Sequence, residues 1–184
     1  FDRANVRSGN SLLRDVDITD LYDALTSVLL RMVFILYVED KGLLPMNNAL
    51  YNEAYSLGGL GQQLDKDYLD CSASMSQRYG AWGHLCALFR LIYLGCSHPQ
   101  LYMPPRHGEL FDFGLHGFLE GRLIGAVHSD EVQKPPEIDD LCVYEILQKL
   151  RYIKGQKLSY RNLEVEQIGS VYEALMGLQI ECAD

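Results

Sequence analysis

The strongest constraint on the fold of this chain is the stretch 18–41, whose apolar residues recur at helical spacing on more than one side. Leu21, Leu25, Val28, Leu29, Met32 and Leu36 fall on one stripe of a helix. Tyr22, Val33, Phe34 and Tyr37 make a second stripe. A helix that is apolar around much of its girth must be packed from several sides, so this segment is expected at the centre of a domain. Asp17 is placed to cap its start and Asp20 lies in the first turn, where an acid favours the helix dipole. Gly42 and Pro45 supply the stop. The apolar run 28–38 is interrupted only by Arg31 and is too short to span a bilayer, which takes about 20 residues. Arg31 is expected to carry its head to a carboxylate or to the surface.

Further helices are expected around residues 48–56, 64–74, 81–94, 139–152 and 165–176, with glycines 58, 59 and 61 breaking the first from the second. The segment 96–136 differs from the rest. It is rich in proline and glycine and holds four of the five histidines. Its aromatic residues Tyr102, Phe111, Phe113 and Phe118 point to a long ordered excursion that packs down, with a strand or hairpin near 122–127. The fold expected is all-α: an irregular multi-helix bundle with one long loop excursion. One domain spans 1–184, with 1–16 as a linker and 96–137 as the loop region. The chain opens on Phe1 rather than Met and stops shortly after a helical pattern, as a segment of a longer protein would.

The chain of 184 residues carries 16 Lys and Arg against 25 Asp and Glu, a net charge of −9. A nucleic-acid binder draws most of its affinity from neutralised phosphates, so any such contact here must be local. Five cysteines without a CxxC pair leave an odd thiol, the usage of a reducing, cytoplasmic compartment. No secretory signal is visible, and no membrane partner is expected.

Few residue constellations carry chemistry. Glu39-Asp40, at the end of the central helix, reads either as a paired-acid metal or base site or as a structural pair that caps a neighbouring helix. His98, His107, His116 and His128, with Cys96, lack the tight ligand pairs that zinc needs, so no metal site is expected. Gly58, Gly59 and Gly61 have neither a preceding strand nor a following GK[ST] and do not form a phosphate loop. Pro104-Pro105 and Pro135-Pro136 follow Met103 and Lys134, neither of which could hold a target amine. The segment 149–161, KLRYIKGQKLSYR, is different. Lys149, Arg151, Lys154, Lys157 and Arg161 are five of the sixteen basic residues, with no acid among them and with Tyr152 and Tyr160 interleaved. These five are candidate contacts to a DNA backbone. The same pattern is also that of a solvated helix end, where cations complement the dipole.

Residues 158–176, LSYRNLEVEQIGSVYEALM, resemble the segment that leads into the methyltransferase core of fused type II restriction–modification enzymes and of BREX- and DISARM-type N6-adenine DNA methyltransferases. Residues 29–45, LLRMVFILYVEDKGLLP, resemble the helix that opens the same region. Leu50 to Leu57 (LYNEAYSL), Leu110-Phe111-Asp112 and Phe118-Leu119-Glu120-Gly121 match between them, in order. The resemblance implies a helical connector that lies beside methyltransferase and DNA-recognition domains of the same chain. It also implies S-adenosylmethionine (SAM) as a cofactor of the longer protein, and DNA as its partner. No catalytic, cofactor-binding or metal residue transfers: the FxGxG-like loop, the [DN]-P-P-[YF] motif and the PD…(D/E)xK pattern are all missing from the sequence. The function expected is a non-catalytic scaffold of a DNA adenine methyltransferase, with or without a joined nuclease. The alternative is a helical protein–protein interaction module that docks a defence-complex partner. Calorimetric titration of the chain with SAM is expected to show no heat beyond dilution. One-to-one micromolar binding would overturn that reading.

Overall fold

The computed structural model describes residues 1–9, 12–13, 16–122, 134–164, 166–167, 169–170 and 173. It is predominantly helical, with α1 (Asp2–Arg7), α2 (Ile18–Asp40), α3 (Ala49–Ala54), α4 (Leu57–Met75), α5 (Gly80–Leu94) and α6 (Asp140–Arg151). Two short antiparallel hairpins accompany them: β1 (Cys96–His98) with β2 (Leu101–Met103), and β3 (Tyr152–Ile153) with β4 (Gln156–Lys157). Of the helix expected over 165–176, residues 166, 167, 169, 170 and 173 are helical and the others lie outside the described residues.

α2 occupies the centre, as its double stripe requires. Ala24, Val28, Met32, Ile35, Leu36 and Val38 are buried in one continuous core with Leu57, Leu64, Leu85, Leu88, Ile92, Val143 and Leu147 from α4, α5 and α6. By length and composition α2 could cross a membrane, but 61% of its most apolar window is buried inside the protein, as in a core helix. Asp17 sits at the N-cap position in extended conformation, yet its side chain makes no capping hydrogen bond.

The start of α4 corrects the sequence reading. Gly58, Gly59 and Gly61 do not break a helix; they form the first turns of one. Ser56 caps it, its Oγ accepting from the Gly59 N–H at 3.0 Å. Glycine is required where backbone comes close: a Cβ on Gly59 would stand 2.6 Å from the Asn52 carbonyl oxygen. The remaining first-turn donors are met from another helix. The Glu39 carboxylate, at the end of α2, accepts from the N–H groups of Leu57 (2.7 Å) and Gly58 (2.9 Å). α5 is capped in the same way. Oδ1 of buried Asp140 accepts from the Ala81 N–H at 2.8 Å, and the Asp140 N–H donates to the Arg78 carbonyl at 2.8 Å.

The segment expected to be a linker, 1–16, begins with α1. Phe1 meets Phe118 edge-on at 5.9 Å, and Ala4 and Leu12 are buried. That contact spans most of the chain, so local periodicity could not signal it. The excursion after α5 carries the β1–β2 hairpin and two 3₁₀ turns, Glu109–Phe111 and Gly117–Glu120. The strand expected near 122–127 lies almost wholly outside the described residues. Leu101, Met103, Phe111, Phe118 and Leu119 are buried beneath the excursion, whereas Tyr102 is 72% exposed, because the strand alternates its side chains in and out. Among the described residues Arg31 pairs with no carboxylate, and it does not snorkel outward. It is 3% exposed and donates to the main-chain carbonyls of Leu110 and Asp112, with Phe89 beneath its guanidinium at 5.3 Å. Burial lowers its pKa, opposed by the charge of Glu120. The Trp82 indole N–H donates to the Leu119 carbonyl at 3.1 Å, and Arg90 pairs with the largely buried Glu120. Three helix side chains thus fasten the excursion to α2 and α5.

Leu36→Ala should cost about 2–5 kcal/mol, the usual range for truncating a buried leucine. Urea denaturation measures it, and a loss below about 1 kcal/mol would place α2 at the periphery.

Candidate nucleic-acid interface

The basic segment 149–161 folds into the last turn of α6, a tight hairpin and a 3₁₀ turn. α6 ends at Arg151, where the chain becomes extended. Tyr152 pairs with Lys157, and Ile153 with Gln156. Lys154 and Gly155 connect them with φ of +49° and +77°. Two left-handed central residues are what a type I′ turn needs, and glycine at the second makes it accessible. After the hairpin the chain returns to the end of α2. The Tyr160 N–H donates to Oδ2 of Asp40 at 2.8 Å, and its hydroxyl donates to the Leu150 carbonyl at 2.7 Å. Burial, then the Asp40 charge, raises the Tyr160 pKa, so the phenol stays a donor.

Among the described residues, four of the five candidate cations have no side-chain partner. Lys149, Lys154, Lys157 and Arg161 are all exposed. Lys154 occupies the tip of the hairpin and Lys157 its returning strand. Arg151 is the exception and corrects the sequence reading. Its side chain is only 5% exposed, and Nη1 pairs with Asp65 on α4 at 3.0 Å. The guanidinium lies against Gly61, and Gln148 also donates to the Asp65 carboxylate. Arg151 therefore joins α6 to α4, its charge met by Asp65. Beside it, Tyr68 of α4 stacks on Tyr144 of α6, with ring centroids 4.5 Å apart.

The acid pair Glu39-Asp40 takes the capping role. Glu39 accepts two main-chain N–H groups and the Tyr51 hydroxyl, which donates at 3.0 Å. Burial raises the Glu39 pKa and outweighs these hydrogen bonds, which act the other way. Burial, and then Glu39, raises the Tyr51 pKa. With its oxygens engaged in this way, Glu39 is a structural acceptor, not an open base. A pocket of about 150 Å³ lies above the pair, lined among others by Asn52, Gln62, Arg151, Lys157 and Tyr160. It adjoins a larger cleft of about 580 Å³ between α3 and α4, with Asn52, Gly59 and Gln62 common to both. Glu53, Ala54, Leu60, Gln63, Lys66 and His84 complete the larger cleft. Sequence reasoning missed this cleft. The only available signal was the spacing of Gly59, Gln62, Gln63 and Lys66, one polar face of α4 opposite the buried Leu57, Leu60, Gly61 and Leu64.

The remaining candidates are dispersed. Cys96 and His98 lie on β1, where His98 Nδ1 accepts from the Gln100 N–H. His107 packs edge-on against Tyr93, and His116 against Phe118. His128 lies outside the described residues. Among the described residues, no group of three or more His, Cys, Asp or Glu is placed to hold a metal ion. Cys86 is half-buried, and the burial of its thiol, followed by the Glu120 charge, pushes its pKa up to about 12.

The chain matches no family model, no curated protein and no solved structure.

The five cations should separate in stability measurements. Arg151→Ala removes the cation paired with Asp65, leaving that carboxylate to Gln148 alone, opens the α4–α6 seam, and should cost about 1–3 kcal/mol. Lys149→Ala should stay within about 0.5 kcal/mol of the parent. Equal effects in chemical denaturation would contradict the buried position of Arg151.

Proposed function

We propose that this chain is a non-catalytic helical scaffold of a SAM-dependent DNA adenine methyltransferase from a restriction–modification or phage-defence system. In this reading the helices form an irregular bundle with one long loop excursion. The bundle holds methyltransferase and DNA-recognition domains of the same cytoplasmic protein in register, and SAM belongs to the catalytic domain. The family assignment rests on the sequence resemblance alone. The observation that carries a DNA-facing role is the exposed hairpin, where Lys154 and Lys157 stand out on an otherwise acidic chain. Lys149 and Arg161 flank them. Lysines on a rigid two-residue hairpin suit phosphate contact, which positions a duplex without reading its bases. A rigid, centrally packed body fixes the distance between two sites better than a flexible tether.

A second reading, a module that docks a protein partner of a defence complex, is favoured by apolar and aromatic side chains left at the surface. Tyr102 is 72% exposed, Leu69 84% and Tyr68 41%. Tyrosine is enriched at protein interfaces.

Duplex titration across a salt series separates the two. In the DNA reading, Lys154→Glu with Lys157→Glu weakens binding alike for all sequences. It also flattens the slope of log K against log salt by roughly 0.9 per lost phosphate contact. The net charge of −9 makes affinity poor at physiological salt, so the series starts low. An unchanged slope means that these lysines face solvent or a protein, and leaves the docking module standing.

A further inference from the structure

We infer that the cleft between α3 and α4 is a binding site for a single unpaired nucleotide, an inference that rests on reading the hairpin side of the domain as the side that meets nucleic acid. The cleft holds about 580 Å³, within the range of roughly 300–1,000 Å³ typical of small-molecule sites. Its walls combine two kinds of surface. Leu60 and Ala54 contribute apolar surface, while Asn52, Gln62 and Gln63 contribute side-chain amides. A nucleobase has the matching character: flat apolar faces and an edge of alternating donors and acceptors, which Asn and Gln pair with by offering both.

Two of the groups that would meet a base and its phosphate are uncommitted, and the others keep part of their hydrogen-bonding capacity. Among the described residues, the Gln62 amide and the Lys66 ammonium make no hydrogen bond or ion pair, and both residues are exposed. Gln63 donates to Asp67 at 2.9 Å, which leaves its carbonyl oxygen to accept. His84 is half-buried, and its Nε2 lies 3.0 Å from the Tyr55 carbonyl. A carbonyl can only accept, so Nε2 carries the proton, and Nδ1 of the neutral ring is an acceptor. Glu53 offers a carboxylate to an exocyclic amine.

Position ties the cleft to the hairpin. The smaller pocket lined by Lys157 shares Asn52, Gly59 and Gln62 with it. A strand whose phosphates lie along the hairpin lysines therefore passes the mouth of a cleft of the right size and chemistry for one of its bases. The lining contains both charge signs, Lys66 with Glu53, so phosphate attraction alone does not account for it. A duplex keeps its bases stacked and paired, and cannot enter without giving one up. The site therefore prefers single-stranded or locally unpaired nucleic acid.

The test uses the whole chain at low salt, with three probes: deoxycytidine monophosphate, inorganic phosphate, and a labelled single strand compared with its duplex. In amide-resolved NMR titrations the monophosphate should shift Asn52, Gln62 and Gln63, and inorganic phosphate should not. Gln62→Ala and Lys66→Ala, both at exposed positions, should each weaken single-strand binding about tenfold, the effect of losing one hydrogen bond worth about 1.4 kcal/mol. Duplex affinity should be unchanged in both. Lys154→Glu, at the hairpin tip, should weaken single strand and duplex together and leave the monophosphate shifts in place. If the monophosphate produces no shifts at about 10 mM, where even a 1 mM site is mostly filled, the cleft is not a nucleotide site. Equal shifts from inorganic phosphate would reduce it to an anion site and overturn the base reading. Cleft variants that weaken duplex and single strand equally would do the same. Loss of the Lys154→Glu effect with the cleft shifts retained would instead count against the hairpin as a DNA contact.

Discussion

The carboxyl end of α2 holds the domain together. Glu39 and Asp40 are adjacent in sequence and organise three other elements. Glu39 closes the open N–H groups at the start of α4 and takes the hydroxyl of Tyr51 from α3. Asp40 takes the N–H of Tyr160 and so fixes the chain that returns from the hairpin. A helix start leaves several main-chain donors without partners, and burying them unpaired costs about 1–3 kcal/mol each. A carboxylate there satisfies two donors at once and also complements the helix dipole. α4, α3 and the returning segment are thereby held against one end of the central helix, and the hairpin and the cleft both lie beside that junction.

A second junction repeats the solution at the other end of the assembly. Asp140, the first residue of α6, closes the start of α5, and its own N–H reaches back to the carbonyl of Arg78. In both cases the acid comes from a different helix. Together with Arg151 against Asp65 and Gly61, these contacts set how α4, α5 and α6 lie around α2. The excursion after α5 is fastened by the same means with the charge reversed. Arg31 and Trp82 donate to its main-chain carbonyls, which a loop without regular structure would otherwise bury unpaired.

These junctions explain why the hairpin can act as a fixed feature rather than a loose loop. It is bounded by Arg151, which is locked into the α4–α6 seam, and by Tyr160, which is tied to Asp40 and Leu150. The cations between and around these anchors are the exposed ones. The polar face of α4 that lines the cleft is held by the same seam, because the opposite face of that helix is packed into the core.

The sequence by itself determined the helical character of the chain, the central position of α2 and the stretches occupied by α3, α5 and α6. Those follow from periodicity and from glycine and proline stops; the structure adds that Asn48 and Asp139 cap the helices they precede. It also marked 149–161 as an acid-free stretch carrying five cations. Only the tertiary structure decided what happens at 58–61, because three glycines look like a break until a distant carboxylate caps the helix and the Asn52 carbonyl comes within reach of Gly59. It alone withdrew Arg151 from the group of candidate cations, since burial against Asp65 is a contact 86 residues apart in the chain. It likewise turned Arg31 toward carbonyls instead of a carboxylate, and brought Asn52, Gln62, Lys66 and His84 to one cleft. Local spacing reports which residues share a face of one helix; which element covers that face, and which polar groups then lose water and need partners, is settled only when the helices pack.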